Sequence, residues 1–222
     1  MWQIEASAFQ GREPDEDRLD VDLGAFDSYS GRVSWFHGGT RAQLSAGRLE
    51  SPHASEPGDI TRITASFEHN GQIVGRTAAV TIAFGQNREP FATEDALLAE
   101  LALSVSPRGT GYRRGEIVDT HILGAGGQHL PGFQQPHIIS TVWTLTGGYQ
   151  HEVWRQAGHG LVLGADITGH IVPPELSGAY GRPVSTHIYA RWSFQSGGTG
   201  GTGAAGAPGA TGALVATPET TR

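Results

Sequence analysis

The sequence predicts an all-β chain, an antiparallel up-and-down transmembrane β-barrel, or part of one, of about ten strands. Three observations predict it. Trp2 to Phe9 reads as a strict alternation of apolar and polar side chains, and the same alternation recurs down the chain. Strand side chains point to opposite faces with period two, so each such segment is a ribbon with one greasy and one wet side. The segments run close to the roughly 9–11 residues that cross a bilayer at a tilt. Between them cluster Gly, Pro, Asp, Asn and His, as in Gly11-Arg12-Glu13-Pro14-Asp15, Gly38-Gly39, Asn70-Gly71, Gly124-Ala125-Gly126-Gly127 and Pro173-Pro174.

Taken in order, strands are expected near 2–9, 30–37, 41–49, 61–69, 76–86, 95–106, 112–120, 137–149, 160–172 and 184–194, with a short extra candidate at 20–25. Asn70-Gly71 predicts a tight hairpin turn, because such a turn needs positive φ that these residues accept cheaply. Ala96 to Leu103 is rich in helix formers, but Leu97, Leu101, Leu103 and Val105 keep one parity, so strand is the reading. Pro173-Pro174 ends the ninth segment by removing ladder donors. The loops are unequal, short at 38–40 and 70–75 and long at 10–19, 50–60, 121–136 and 173–183. Residues 1–195 form the barrel segment; 196–222, almost without bulky side chains, read as a disordered tail that cannot bury enough surface to order itself.

Composition narrows the function classes. The 222 residues contain no cysteine, which excludes disulfides, thiolate metal sites and cysteine catalysis. A formal charge of −7 argues against a nucleic-acid surface, whose footprint is basic. Lysine is absent and all 15 cations are arginine, while 33 glycines suit turns and close strand packing. No run approaches eighteen apolar residues, and Met1 is followed at once by a strand, so neither a transmembrane helix nor a signal peptide is read here.

Parity sorts the side chains into two sets. Ile4, Ala6, Val80, Ile82, Leu163, Ile167, Ile188 and Ala190 belong to the apolar set; Glu5, Thr81, Asp166, His187 and Arg191 belong to the other. In a membrane barrel the first set faces lipid and the second lines a lumen. The lumen-lining candidates are Glu5, Glu68, Glu100, Asp166, His170, His187, Tyr189 and Arg191. Aromatic residues near strand ends (Trp2, Phe9, Trp35, Phe67, Phe84, Tyr149, Trp192, Phe194) fit interfacial girdles. The same parity suits a soluble antiparallel β-sandwich that binds carbohydrate or another ligand through its aromatic residues. In the last hairpin a pairing sum near 357 is expected, setting Asp166 opposite Arg191, Thr168 opposite Tyr189 and His170 opposite His187.

The chemical constellations are weak. Asp15, Asp17, Asp20 and Asp22 could offer oxygens to calcium, but without EF-hand spacing; a solvated loop is the preferred reading. His121, His129, His137, His151 and His159 lack the close spacing of paired metal ligands. Ser185, His187 and Asp166 could form a triad, as in an outer-membrane hydrolase, but no nucleophile elbow surrounds the serine. No cofactor is expected, and the chain is not read as an enzyme.

Residues 11–18, 25–32 and 57–66, together with Gly164-Ala165-Asp166-Ile167-Thr168-Gly169-His170 and Tyr180-Gly181-Arg182-Pro183-Val184-Ser185, carry a resemblance. Over roughly 1–194 the chain resembles the C-terminal half of an uncharacterised family of bacterial outer-membrane β-barrel proteins. The resemblance implies an outer-membrane location and a passive pore or structural role. It also implies contact with outer-membrane lipid, lipopolysaccharide and the barrel-assembly machinery, plus a signal peptide and further strands upstream. Such barrels finish on an aromatic residue; Phe194 fits, but the tail follows it. These departures read as a truncated or altered frame.

Overall fold

The computed structural model describes residues 1–12, 24–52, 58–90, 92–120, 139–174, 177–181 and 183–194. The acidic loop with Asp15, Asp17, Asp20 and Asp22, the histidines His121, His129 and His137, and the tail from Gln195 lie outside them.

Ten strands follow one another as Trp2–Phe9 (β1), Ser28–His37 (β2), Thr40–Leu49 (β3), Ile60–Ile73 (β4), Arg76–Arg88 (β5), Thr93–Ser106 (β6), Gly109–Thr120 (β7), Ser140–Gln156 (β8), His159–Ile171 (β9) and Val184–Phe194 (β10). A four-residue helical turn, Ser177–Tyr180 (α1), sits between the last two. Each strand pairs antiparallel with the next in a single sheet ordered β1 to β10, so the topology is a pure up-and-down meander. The sheet is not closed: β1 and β10 are its edges, and both are exposed along nearly their whole length. The helix-favouring stretch 96–103 lies inside β6, where alternation outweighs intrinsic propensity.

The connections sort by rim. Gly38-Gly39, Val74-Gly75, Pro107-Arg108 and Ala157-Gly158 are two-residue links at one end of the sheet, where Met1 and Phe194 also lie. At the other end the chain crosses by 10–27, 50–59, 89–92, 121–139 and 172–183. The Asn70-Gly71 turn is not formed. β4 runs on through both residues, the Asn70 N–H bonds the Gly39 carbonyl at 2.8 Å, and the chain reverses at Val74 (φ 50°) and Gly75 (φ 72°). Continuing the ladder and satisfying the Asn70 donor outweigh local turn preference, at the cost of a β-branched residue in the left-handed region.

The last hairpin also differs from expectation. Paired residues sum to 353, so Asp166 faces His187 and Gly164 faces Tyr189, while Arg191 faces Val162. Asp166–Arg191, Thr168–Tyr189 and His170–His187 are therefore not pairs. Odd parity survives, so the faces are unchanged and only the register slides. The reason is steric: the Tyr189 ring fills the space over Gly164, where an added Cβ would meet its Cζ at 2.3 Å.

Register also fixes strand tilt. The hydrogen-bonded row Trp2, Trp35, Ala42, Phe67, Ile82, Ala99, Gly115, Leu145, Gly169, Val184 begins at the short-turn end of β1 and finishes at the long-loop end of β10. It drifts by the length of β10, 11 residues. A drift of about ten residues over ten strands corresponds to a tilt of roughly 35°, given about 3.3 Å per residue and 4.8 Å between strands.

Candidate functional site

Pairing carries parity across the whole sheet and makes two faces of opposite character. One holds Ile4, Val33, Leu44, Ala65, Phe84, Leu97, Ile117, Trp143 and Ile171 in a single row, with Ala6, Val80, Ile82, Leu163, Ile167, Ile188 and Ala190 on the same side. Most of its large side chains are uncovered, up to Ile188 at 85% exposed. The other face holds all eight candidates, Glu5, Glu68, Glu100, Asp166, His170, His187, Tyr189 and Arg191, and Thr81 with them. Phe9 is on this polar side, unlike the aromatic residues it was grouped with.

The polar face carries a belt of charge. Arg41, Glu68, Thr81, Glu100 and Arg114 are successive partners from β3 to β7. Arg114 reaches Glu116 at 2.7 Å and Glu100 at 4.0 Å. Arg41 donates to Gln43 and lies over the Phe36 ring. Glu5 faces Arg32 at 3.9 Å. Among the described residues, Arg41 Nε, Arg114 Nε and Ser34 Oγ are buried without a hydrogen-bond partner.

A second cluster spans β7 to β10. The Tyr112 hydroxyl donates to Asp166 at 2.8 Å, crossing over Gly148, where an added Cβ would meet the Tyr112 ring at 2.3 Å. Asp166 also faces His187 Nδ1 at 3.5 Å. The Tyr189 hydroxyl sits 3.4 Å from that of Tyr112 and 3.3 Å from Gln150 Oε1, and its ring stacks on His187. Each tyrosine thus lies across a glycine of the neighbouring strand, an aromatic cover for a backbone that lacks its own side chain. His170 stands apart, against the Thr144 hydroxyl at 3.1 Å, and Arg191 lies opposite Val162.

Sequence reasoning singled out Asp166, His187 and Tyr189 but missed Tyr112, Gln150, Arg41, Arg114 and Glu116. The signal was present: Tyr112, Arg114 and Glu116 share one parity in β7. Ser185 is on the same face, yet no hydrogen bond joins it to His187 among the described residues. Nor does any group of three or more His, Asp or Glu residues form a metal-binding cluster among them.

The short-turn rim bears aromatic residues on the apolar face. Trp154 and Trp192 stand 5.7 Å apart, with His159 against Trp192 at 5.9 Å. Trp154 reaches this face through a one-residue bulge at Val153, where pairing shifts between Glu152 and Trp154. Without it, even parity would turn the indole to the polar side. At the opposite rim Asp27 accepts from the Gly11 N–H and the Ser28 hydroxyl, both at 2.9 Å, and Ser28 Oγ accepts from the Glu50 N–H.

The class defined by this geometry is an all-β protein, a ten-stranded antiparallel meander with one polar and one apolar face. Comparison with protein-family models, with curated proteins and with solved structures finds no match.

Proposed function

We propose that the sheet is the wall of a bacterial outer-membrane β-barrel, with its apolar face toward lipid and its polar face toward a lumen. The role is that of a passive pore or structural membrane component. One observation carries this reading. On β5 the apolar face holds Ala78, Val80, Ile82 and Phe84 between Arg76 and Gln86. Arg76 and Gln86 stand about ten residues apart, so at about 3.3 Å per residue and the tilt of roughly 35° they bracket a band about 27 Å tall, close to the roughly 25 Å apolar belt of such barrels.

Further features support it. Short turns on one rim and long loops on the other, strand tilt, and tryptophans at the short-turn border all agree with that architecture. A lumen would supply water to Arg41 Nε, Arg114 Nε and Ser34 Oγ. In a bilayer the open edges of β1 and β10 need strand partners, since lipid cannot satisfy backbone donors and acceptors.

Reconstitution into vesicles containing brominated acyl chains tests the reading. Trp143 and Trp192 fluorescence should be quenched, and the unheated protein should run with altered mobility in detergent gels. A chain that stays soluble, unquenched and heat-insensitive would instead be a soluble β-protein, in line with the carbohydrate-binding alternative.

A further inference from the structure

Arg113 is out of place. Its neighbours in β7, Tyr112 and Arg114, lie on the polar face, so Arg113 lies on the apolar one, opposite Leu101 and Gly147. It is exposed, and no ion pair or hydrogen bond engages it among the described residues. The carboxylates within strands on this side, Asp95 and Asp119, stand at the long-loop border, where Asp119 takes the Thr141 hydroxyl at 2.7 Å and the Asp95 N–H at 3.1 Å. Arg113 lies six residues further along β7, about 15 Å deeper at the strand tilt. It therefore interrupts the apolar band well inside it.

The surroundings are hollow. Gly111 and Gly115 flank Arg113 on the same face, Gly147 lies beside it, and a Cβ added at Gly115 or Gly147 would meet nothing within 4 Å. A long cation can lie in that space and stretch toward the short-turn border. A charge within a lipid-facing band is costly unless something compensates it.

Resting on the lipid-facing reading above, we propose that Arg113 and its glycine hollow bind the phosphate of an anionic phospholipid in the leaflet on the short-turn side. A guanidinium matches a phosphodiester geometrically as well as electrostatically, because two N–H groups can engage two oxygens. Three absent side chains let the headgroup settle against the strand backbone. Phosphatidylglycerol, which carries no cation of its own, fits better than phosphatidylcholine.

The test compares urea unfolding in phosphatidylcholine vesicles with and without phosphatidylglycerol. Phosphatidylglycerol should raise the midpoint of the wild type most, should raise that of Arg113→Lys less because an ammonium cannot make the paired contact, and should leave Arg113→Leu at its phosphatidylcholine value. Arg88→Leu, which removes an arginine at the long-loop border, should keep the wild-type response and so report general surface attraction. An equal response in wild type and Arg113→Leu overturns the proposal. So does an oligomer that Arg113→Leu dissolves, which would make the counter-charge a protein carboxylate. Failure of every variant to insert into either vesicle would sink the lipid-facing reading itself.

Discussion

The two faces of the sheet reverse the usual relation between polarity and exposure. On the polar face Ser34 is 0% exposed, and Ser28, Ser140, Ala102 and Val142 are buried. On the apolar face Ile4 is 80% exposed and Leu44, Leu145 and Ile167 stand largely free. In water an apolar surface of that extent marks an interaction site, because hydrophobic burial is what makes a fold stable. The difference teaches that the stabilising packing is on the polar side, through ion pairs, Tyr–Gly interlocks and serine–threonine contacts such as Ser45–Thr64 at 2.6 Å.

The largest expected effect pits neighbouring residues of β5 against each other. On the lipid-facing reading proposed above, Ile82→Arg should cost roughly 2–4 kcal/mol of membrane insertion, as for an arginine at the midplane of a barrel's lipid-facing surface. Thr81→Arg should cost far less, since Thr81 lies between Glu68 and Glu100 on the polar face. Urea titration in vesicles reads both, and equal losses would break the comparison.

Next in size is the interlock on the polar side. Gly148→Val and Gly164→Val should each destabilise by about 1–3 kcal/mol, the usual cost of overpacking. Removing the ring it collides with, Tyr112→Ala or Tyr189→Ala respectively, should recover part of the loss. Additive losses in those double mutants would mean that the rings are not seated over the glycines. Cysteines at 166 and 187 should crosslink, and cysteines at 166 and 191 should not, which tests the register directly.

A smaller gain is expected away from both faces. Val74→Asn should stabilise by about 1 kcal/mol, because Val74 holds φ 50°, where a β-branched residue is strained and asparagine is tolerated. An unchanged or lowered unfolding midpoint would show that the turn does not hold that conformation.

These positions also show what the sequence makes legible. All ten strands and both faces follow from alternation, since period two is a local property. Turn position, register and bulges depend on what the neighbouring strand offers. Gly39 accepts the Asn70 N–H, Gly164 makes room for Tyr189, and Val153 is the extra residue that re-aims Trp154. The polar cluster was half visible for the same reason: β9 and β10 adjoin in sequence, whereas Tyr112 comes from β7, 54 residues from Asp166.

The smallest expected effect belongs to Asp27, at the base of the long-loop rim and on neither face. Its carboxyl is held below the usual aspartate range, chiefly by the hydrogen bond from the Gly11 N–H and then by that from the Ser28 hydroxyl. Because the folded value is the lower one, the anchored loop base is favoured above the ordinary aspartate range, and that contribution fades as pH falls through the depressed value. Solvent screening at this partly exposed site keeps the effect modest. The protection of the Gly11 amide, its exchange rate compared with the intrinsic rate at the same pH, should therefore fall in acid in the wild type. In Asp27→Asn, which keeps an acceptor oxygen but loses the charge, that protection should be lower at neutral pH and should lack the acid step. The contrast with Thr81 and Ile82 is instructive: changes there alter the polarity of a face, whereas Asp27 only ties β1 to the start of β2. If Asp27→Asn retained the same acid step, another group would own the titration and the Asp27–Gly11 link would not be what anchors the rim.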